Sequence, residues 1–260
     1  MERSAVRRRR GLSSDEARVL RQRGHNDARE FAMAIQLPSD YRNDIRAKKD
    51  VIDPSGDSHS VKGGDKKWQV FLYSRGRFDS DDSFRAMNGI GDLLLACIDA
   101  FPESFDDYQR NKTEAKERLR EPMKQLAERL QDRTRLRAFL NKSLFNGGEV
   151  NYLTAKHNNL FHVFWGPDVI RALNANLEVC NSRAISAGQF PEQKVLFRYH
   201  GTNLGELEMR NDSPVHYREI RFNMIKPKIM ELLFAEIPHG NRYNRLVCRY
   251  GYAVRHFGRW

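Results

Sequence analysis

The segment Lys49-Asp50-Val51-Ile52-Asp53-Pro54-Ser55-Gly56-Asp57-Ser58-His59-Ser60-Val61-Lys62 constrains the fold more than any other part of the chain. Proline presets φ for the second turn position, and glycine ends such a turn without strain. A hairpin closed by Pro54-Ser55-Gly56 sets Asp53 opposite Asp57 and Asp50 opposite Ser60. Side chains alternate along a strand, so Lys62 joins the Asp50 and Ser60 face, while Val51 and Val61 share the other and enter a core. Gly63-Gly64-Asp65 reads as a second turn and Trp68 to Tyr73 as a third strand, which together predict a three-stranded meander.

Helices are expected on both sides of it. Ser13 and Glu16 are spaced as a capping box. Gly24 should end that helix, and Asn26 or Asp27 should cap a second one carrying Ala28, Phe31, Ala32 and Ile35 on one face. Residues 83–101 read as a buried helix through Phe84, Met87, Leu94, Cys97, Ile98 and Phe101. Residues 105–145 are helical with a stripe of Leu119, Met123, Leu126 and Leu130, which Pro122 should kink or split. Asn146-Gly147-Gly148 is the best boundary, separating a core at 1–146 from a second part at 147–260, or marking a break within one domain. Beyond it come strands at 149–155 and 160–165, a helix opened by Gly166-Pro167-Asp168, and a hairpin of 194–200 and 204–210 turning at Gly201-Thr202-Asn203. A helix is predicted across 222–235. The expected fold class is α/β or α+β, with a central mixed sheet and its meander flanked by helices.

The charge is +11, and its placement matters more than its size. Residues 1–10 carry +4, and Arg242, Arg245, Arg249, Arg255 and Arg259 add +5, leaving a nearly balanced body. Basic ends suit a polyanionic partner. No apolar run approaches the roughly 18 residues of a membrane span, so no membrane partner is expected. Cys97, Cys180 and Cys248 form no CxxC pair, and a reducing, cytoplasmic setting is the simple reading. GxSxG, HExxH and GxxxxGK[ST] patterns are absent, which lowers the weight of those enzyme classes.

A carboxylate, a hydroxyl and an ammonium on one hairpin face suit metal-assisted phosphodiester hydrolysis. They also suit a plain cross-strand ion pair between Asp50 and Lys62. The order Asp50, turn, Ser60-Val61-Lys62 resembles the PD-(D/E)xK nucleases, the superfamily that includes many type II restriction endonucleases. Lys49 stands where that family often has Pro, and Ser60 where it usually has Asp or Glu. The resemblance covers residues 24–75. It implies a restriction-endonuclease-like fold and an Mg²⁺-dependent, sequence-specific cleavage of double-stranded DNA by a homodimer. By the same resemblance Asp50 holds the metal and Lys62 orients the attacking water. Ser60 hydrogen-bonds nearby, and Glu30 supplies the missing carboxylate, with Asp53 and Asp92 as substitutes.

Lys66, Lys67 and Gln69 follow the hairpin, where a phosphate of the DNA would lie. Glu206, Glu208 and Arg210 share one face of a later strand, either as a polar surface or as a rival acid and cation site. Arg210 and Arg218 are candidate DNA contacts, as are Arg242 and Arg245 in the arginine and aromatic tail. His25, His59 and His157 are isolated candidates for a general base. The alternatives are a non-catalytic nucleic-acid-binding protein and a structure-specific repair or recombination nuclease.

Overall fold

Asp53-Pro54-Ser55-Gly56 does close a hairpin in the computed structural model of the chain, which describes residues 14–260 apart from 86, 88, 185–188 and 239. The arginine block at 1–10 and the expected cap at Ser13 lie outside the described residues. The two strands of the hairpin are β1 (Val51–Ile52) and β2 (Ser58–Lys62). Val51 faces His59 and Ile52 faces Ser58, while Asp53 N–H donates to Asp57 O at 2.9 Å. That is the register set by the turn. Asp53 secures it, since its Oδ1 accepts the Ser55 and Asp57 amides at 2.9 and 3.0 Å.

The meander does not form. β3 (Lys67–Tyr73) leaves β2 and joins a different sheet. The departure follows from burial: Trp68, Val70 and Phe71 are all buried, and a register shift between Gln69 and Phe71 turns the consecutive Val70 and Phe71 inward together. The place of β3 beside β2 is taken by β4 (Tyr152–His157), which runs parallel to β2. β4 turns through Asn158 and Asn159, both at positive φ as a tight hairpin requires, into β5 (Leu160–Trp165).

The fold is α+β with two five-stranded sheets. The first is mixed, in the order β1, β2, β4, β5, β10, where β10 (Val247–Tyr250) lies parallel to β5. The second is antiparallel, in the order β3, β9, β8, β7, β6, built from β6 (Glu178–Asn181), β7 (Lys194–Tyr199), β8 (Thr202–Arg210) and β9 (Glu219–Ile225). Each sheet takes strands from either side of Asn146–Gly148. Those glycines therefore mark a turn within interleaved sheets and do not separate two independently built parts.

The helices are α1 (Ser14–Ala34), α2 (Arg75–Asp79), α3 (Asp82–Arg85), α4 (Ile90–Asp99), α5 (Phe105–Arg110), α6 (Lys112–Gln131), α7 (Arg133–Phe145), α8 (Gly166–Asn176), α9 (Lys226–Glu236) and α10 (Ala253–His256). α1 runs through Gly24, contrary to expectation. Its Ala28, Phe31 and Ala32, with Ile35 just past its end, pack on Val51, Val61, Phe161 and Val163 of the first sheet, together with Val247, Ala253 and Phe257. The opposite face of that sheet shares a larger core with the inner face of the second sheet and helices α4, α6, α7, α8 and α9.

Three further differences have simple causes. Pro122 sits inside an unbroken α6, because its missing donor frees the carbonyl of the exposed Arg118, which water can satisfy. The break comes later, at Asp132, whose side chain accepts the Arg135 amide and caps α7. The buried run 83–101 is two helices, α3 and α4, parted at Gly89 (φ 81°). The predicted helix over 222–235 is strand β9 followed by α9. Ile220, Phe222 and Met224 are buried with period two, and Pro227 suits the first turn of a helix but not its interior.

Candidate nuclease site at the end of the first hairpin

Asp50 stands where the β1–β2 ladder ends. Its N–H donates to His59 O at 2.9 Å, and its Oδ2 accepts the Val61 N–H at 2.7 Å. The carboxylate thus takes a ladder position at the sheet edge, and Oδ1 has no partner among the described residues. Opposite, Ser60 is fully buried, and its hydroxyl has no hydrogen-bond partner among the described residues. Lys62 is half-buried, two residues further along β2.

Lys48 completes this corner and was not anticipated. It holds positive φ (61°) and caps a short 3-10 turn at Ile45–Ala47. Its Nζ donates to Val70 O at 3.1 Å and to Ser143 O. Burial, and then the charges of Lys62, Arg77 and Lys142, push its pKa down to about 7, while Asp50 opposes them. Arg77 and Lys142 both pair with Asp81, at 3.3 and 3.0 Å. Four basic side chains therefore crowd one end of the hairpin. They come from residues 48, 62, 77 and 142, so no sequence spacing could have revealed the cluster.

Glu30 is not part of it. α1 covers the Val51 and Val61 face of the sheet, whereas Ser60 and Lys62 belong to the other face. Glu30 is paired with Lys156, which Asp27 also holds at 2.9 Å. The expected carboxylate is thus on the wrong side of the sheet. The substitutes fare no better. Asp53 is buried in the turn and lies 3.3 Å from His59 Nε2, and Asp92 is an exposed residue in the first turn of α4.

The three histidines part ways. His59 is fully enclosed by Phe31, Tyr152 and Phe257, and burial holds its pKa below the usual value despite the nearby Asp53. It has no route to a substrate and works as a core residue, with Nδ1 2.9 Å from Thr154 Oγ1. His25 is exposed on α1. His157 lies beside His162 and Phe234, away from Asp50.

The expected DNA contacts are scattered. Departure of β3 carries Lys67 and Gln69 to the outer face of the second sheet, not to the Asp50 corner. Lys66 is exposed just before β3, and its carbonyl accepts the Lys226 amide at 3.0 Å. Arg210 is chelated by Asp212 at 2.7 and 2.8 Å, and Arg218 pairs with Asp99 at 3.2 Å. Arg242 donates to Arg245 O at 3.1 Å, with Arg245 exposed. The tail is folded: Tyr250 and Phe257 are buried, while Tyr252 and Trp260 are exposed.

Glu206 and Glu208 belong to a satisfied ionic face. Lys67 reaches Glu206 at 2.6 Å, Lys194 bridges Glu206 (3.1 Å) and Glu208, and Arg221 also binds Glu208. Burial raises the Glu206 pKa, but the Lys67 hydrogen bond and the Lys194 charge outweigh it and hold the carboxyl below its usual 4.5. A folded pKa below the unfolded one gives stability that is fully present above 4.5 and lost as pH falls through the folded value. Glu206→Gln is expected to flatten the acid limb of the stability curve in denaturant titrations run from neutral pH downward. An acid limb identical to that of the parent protein would contradict this linkage.

No helix among the described residues is long and apolar enough to cross a membrane, and all three cysteines are free. Comparison with protein-family models, curated proteins and solved structures finds no match.

Proposed function

We propose that the chain is an Mg²⁺-dependent endonuclease for double-stranded DNA, of the PD-(D/E)xK kind, cutting at defined sequences as a homodimer in the cytoplasm. One observation carries the reading: a pinned carboxylate whose second oxygen has no partner among the described residues stands at the end of the hairpin, beside a buried hydroxyl that also has none among them and the ammonium of Lys62.

The donor set fits Mg²⁺, which keeps several waters and takes one or two carboxylates plus substrate phosphates in place of a full protein cage. Asp50 Oδ1 is the available protein ligand. A bound Mg²⁺ supplies charge neutralisation at the phosphate and a lower pKa for a coordinated water. The chain's own groups do the rest. The ladder bond from Val61 fixes the Asp50 carboxylate. Lys62, half-buried, can orient a water and neutralise charge developing on the phosphate.

The single carboxylate favours a second reading, a nucleic-acid-binding protein that cuts nothing. Incubation of the purified protein with plasmid DNA, with and without Mg²⁺, separates the two. Discrete fragments only in Mg²⁺ are expected. Retarded but uncut DNA in both Mg²⁺ and Mn²⁺ would leave the binding protein. Random nicking, or cleavage confined to junctions, would point to a structure-specific nuclease.

A further inference from the structure

A cleft of about 200 Å³ opens between the end of α7, the Asn146–Gly148 turn and the start of α8. Phe145, Val150, Trp165 and Pro167 give it apolar walls, and Asn141 and Asn151 are its polar side chains. No lining residue is charged. Sites for drug-sized ligands measure roughly 300–1,000 Å³. This smaller, uncharged one suits a single flat ring system and offers nothing to a phosphate or a carboxylate. Its polar groups are also unspent. The Ser58 N–H, which can only donate, meets Asn151 Oδ1 at 2.9 Å, and the Ser58 hydroxyl meets the same oxygen at 3.0 Å. Asn151 Nδ2 therefore points away from Ser58 and has no partner among the described residues. The side-chain amide of Asn141 has none either, nor has the indole N–H of Trp165. Carboxamides present donor and acceptor side by side, which matches the edge of a nucleobase.

The rings beside the cleft point the same way. Trp165 packs on Tyr252 with centroids 4.2 Å apart, and Tyr252 stacks on His256 at 3.9 Å and 19°. Trp165 ends this three-ring ladder at the cleft, while Tyr252 and His256 are exposed. A base entering the cleft adds a fourth ring, and aromatic faces accept every base in this way. Arg137, one turn before Asn141 on α7, and Arg255, next to His256, are exposed and pair with no carboxylate among the described residues. They can neutralise the phosphates on either side of that base. Asn151 also ties the cleft to the hairpin, since Ser58 lies only two residues before Ser60 on β2, about 7 Å along the strand.

We propose that the cleft receives one unpaired base of a nucleic-acid strand, with its ring against Trp165 and its edge on Asn141 and Asn151. That the strand is DNA held at the Asp50 corner rests on the nuclease reading; the cleft itself does not. A base inside an intact duplex stays in its stack, so the site responds to a bulged, mismatched or extruded base, for which the cost of leaving the stack is least.

Two short DNA duplexes that differ by one base test this. Each carries a single-nucleotide bulge, adenine in one and an abasic residue in the other, so bend and charge are matched. Binding of the whole protein is measured in EDTA, so that cleavage plays no part. The adenine bulge is expected to bind about tenfold more tightly, as one base stacked on an aromatic ring implies. Excess adenosine should compete this preference away, and ribose 5-phosphate should not. Trp165→Leu should bring the ratio of the two affinities to about one, and Asn141→Ala should lower it about threefold, the loss of one hydrogen bond. The ratio is taken within one protein, so a general loss of affinity does not move it. Equal affinities in the parent protein overturn the proposal, and so does a preference that survives in both variants. Adenosine that raises the melting temperature while the ratio stays at one assigns the cleft to free nucleosides and overturns the strand. An adenine preference without cleavage in Mg²⁺ keeps the cleft and removes the nuclease reading. Cleavage in Mg²⁺ with equal affinities does the reverse. Should Trp165→Leu not fold, an unchanged ratio in Asn141→Ala overturns the site.

Discussion

Under the proposed nuclease function, Lys62→Ala is expected to slow Mg²⁺-dependent DNA cleavage by about 10²–10³-fold, the usual loss when one group that orients a nucleophile or stabilises transition-state charge is removed. The half-buried side chain is the last residue of β2, so the melting temperature should hardly change. Asp50→Asn is the informative partner. Its amide oxygen can still accept the Val61 N–H, which preserves the ladder end, while the negative charge is gone. Cleavage should fall as far as in Lys62→Ala, with the fold intact. Near-parent cleavage rates in both variants would remove this corner from the proposed chemistry.

The second large effect is on stability. Phe139→Ala in α7 is expected to cost about 3–5 kcal/mol, within the range for deleting a fully buried aromatic ring. Phe139 is completely buried where the helical layer meets the second sheet, with ring centroids 5.3 Å from Phe222, 5.9 Å from Phe197 and 6.3 Å from Phe71. These three rings belong to strands β9, β7 and β3, so one cavity loosens three of that sheet's five strands at once. Denaturant titration measures the loss, and Phe139→Leu, which leaves a smaller void, should cost less. A loss under about 1 kcal/mol would mean that the neighbouring rings close the gap, contrary to the packing described.

Local signals in the chain were readable and distant ones were not. The register of β1 and β2 follows from Asp53-Pro54-Ser55-Gly56 because turn chemistry acts within a few residues. The stripe Leu119, Met123, Leu126 and Leu130 is buried as its spacing predicts. β9 was missed: the alternation of Ile220, Phe222 and Met224 carries its signal, but the apolar residues from 222 to 235 were read as one helix. The passage of β3 into another sheet had no local sign, since an apolar strand fits either partner. The same limit applies to the site. Asp50, Ser60 and Lys62 lie within one hairpin and are brought to the same end of it. Glu30 was expected there, yet whether a helix covers one face of a sheet or the other depends on tertiary packing. Lys48, Arg77 and Lys142 meet only because α7 and the segment after β3 converge on the hairpin, and nothing in their spacing records that meeting.

The parallel pairing of β10 with β5 has a consequence for how the chain is made. Residues 160–165 leave the ribosome some 85 residues before the strand that covers their outer edge. Until then Phe161, Val163 and Phe164 sit on a strand whose outer N–H and C=O groups are unpaired, a surface that readily recruits another nascent chain. β1 and β2 wait in the same way for β4. Contacts between residues so far apart slow folding and prolong the exposure of such edges. Translation speed and chaperone access over the second half of the chain therefore bear on the yield of folded protein, although of the charged groups at the Asp50 corner only Lys142 is encoded there.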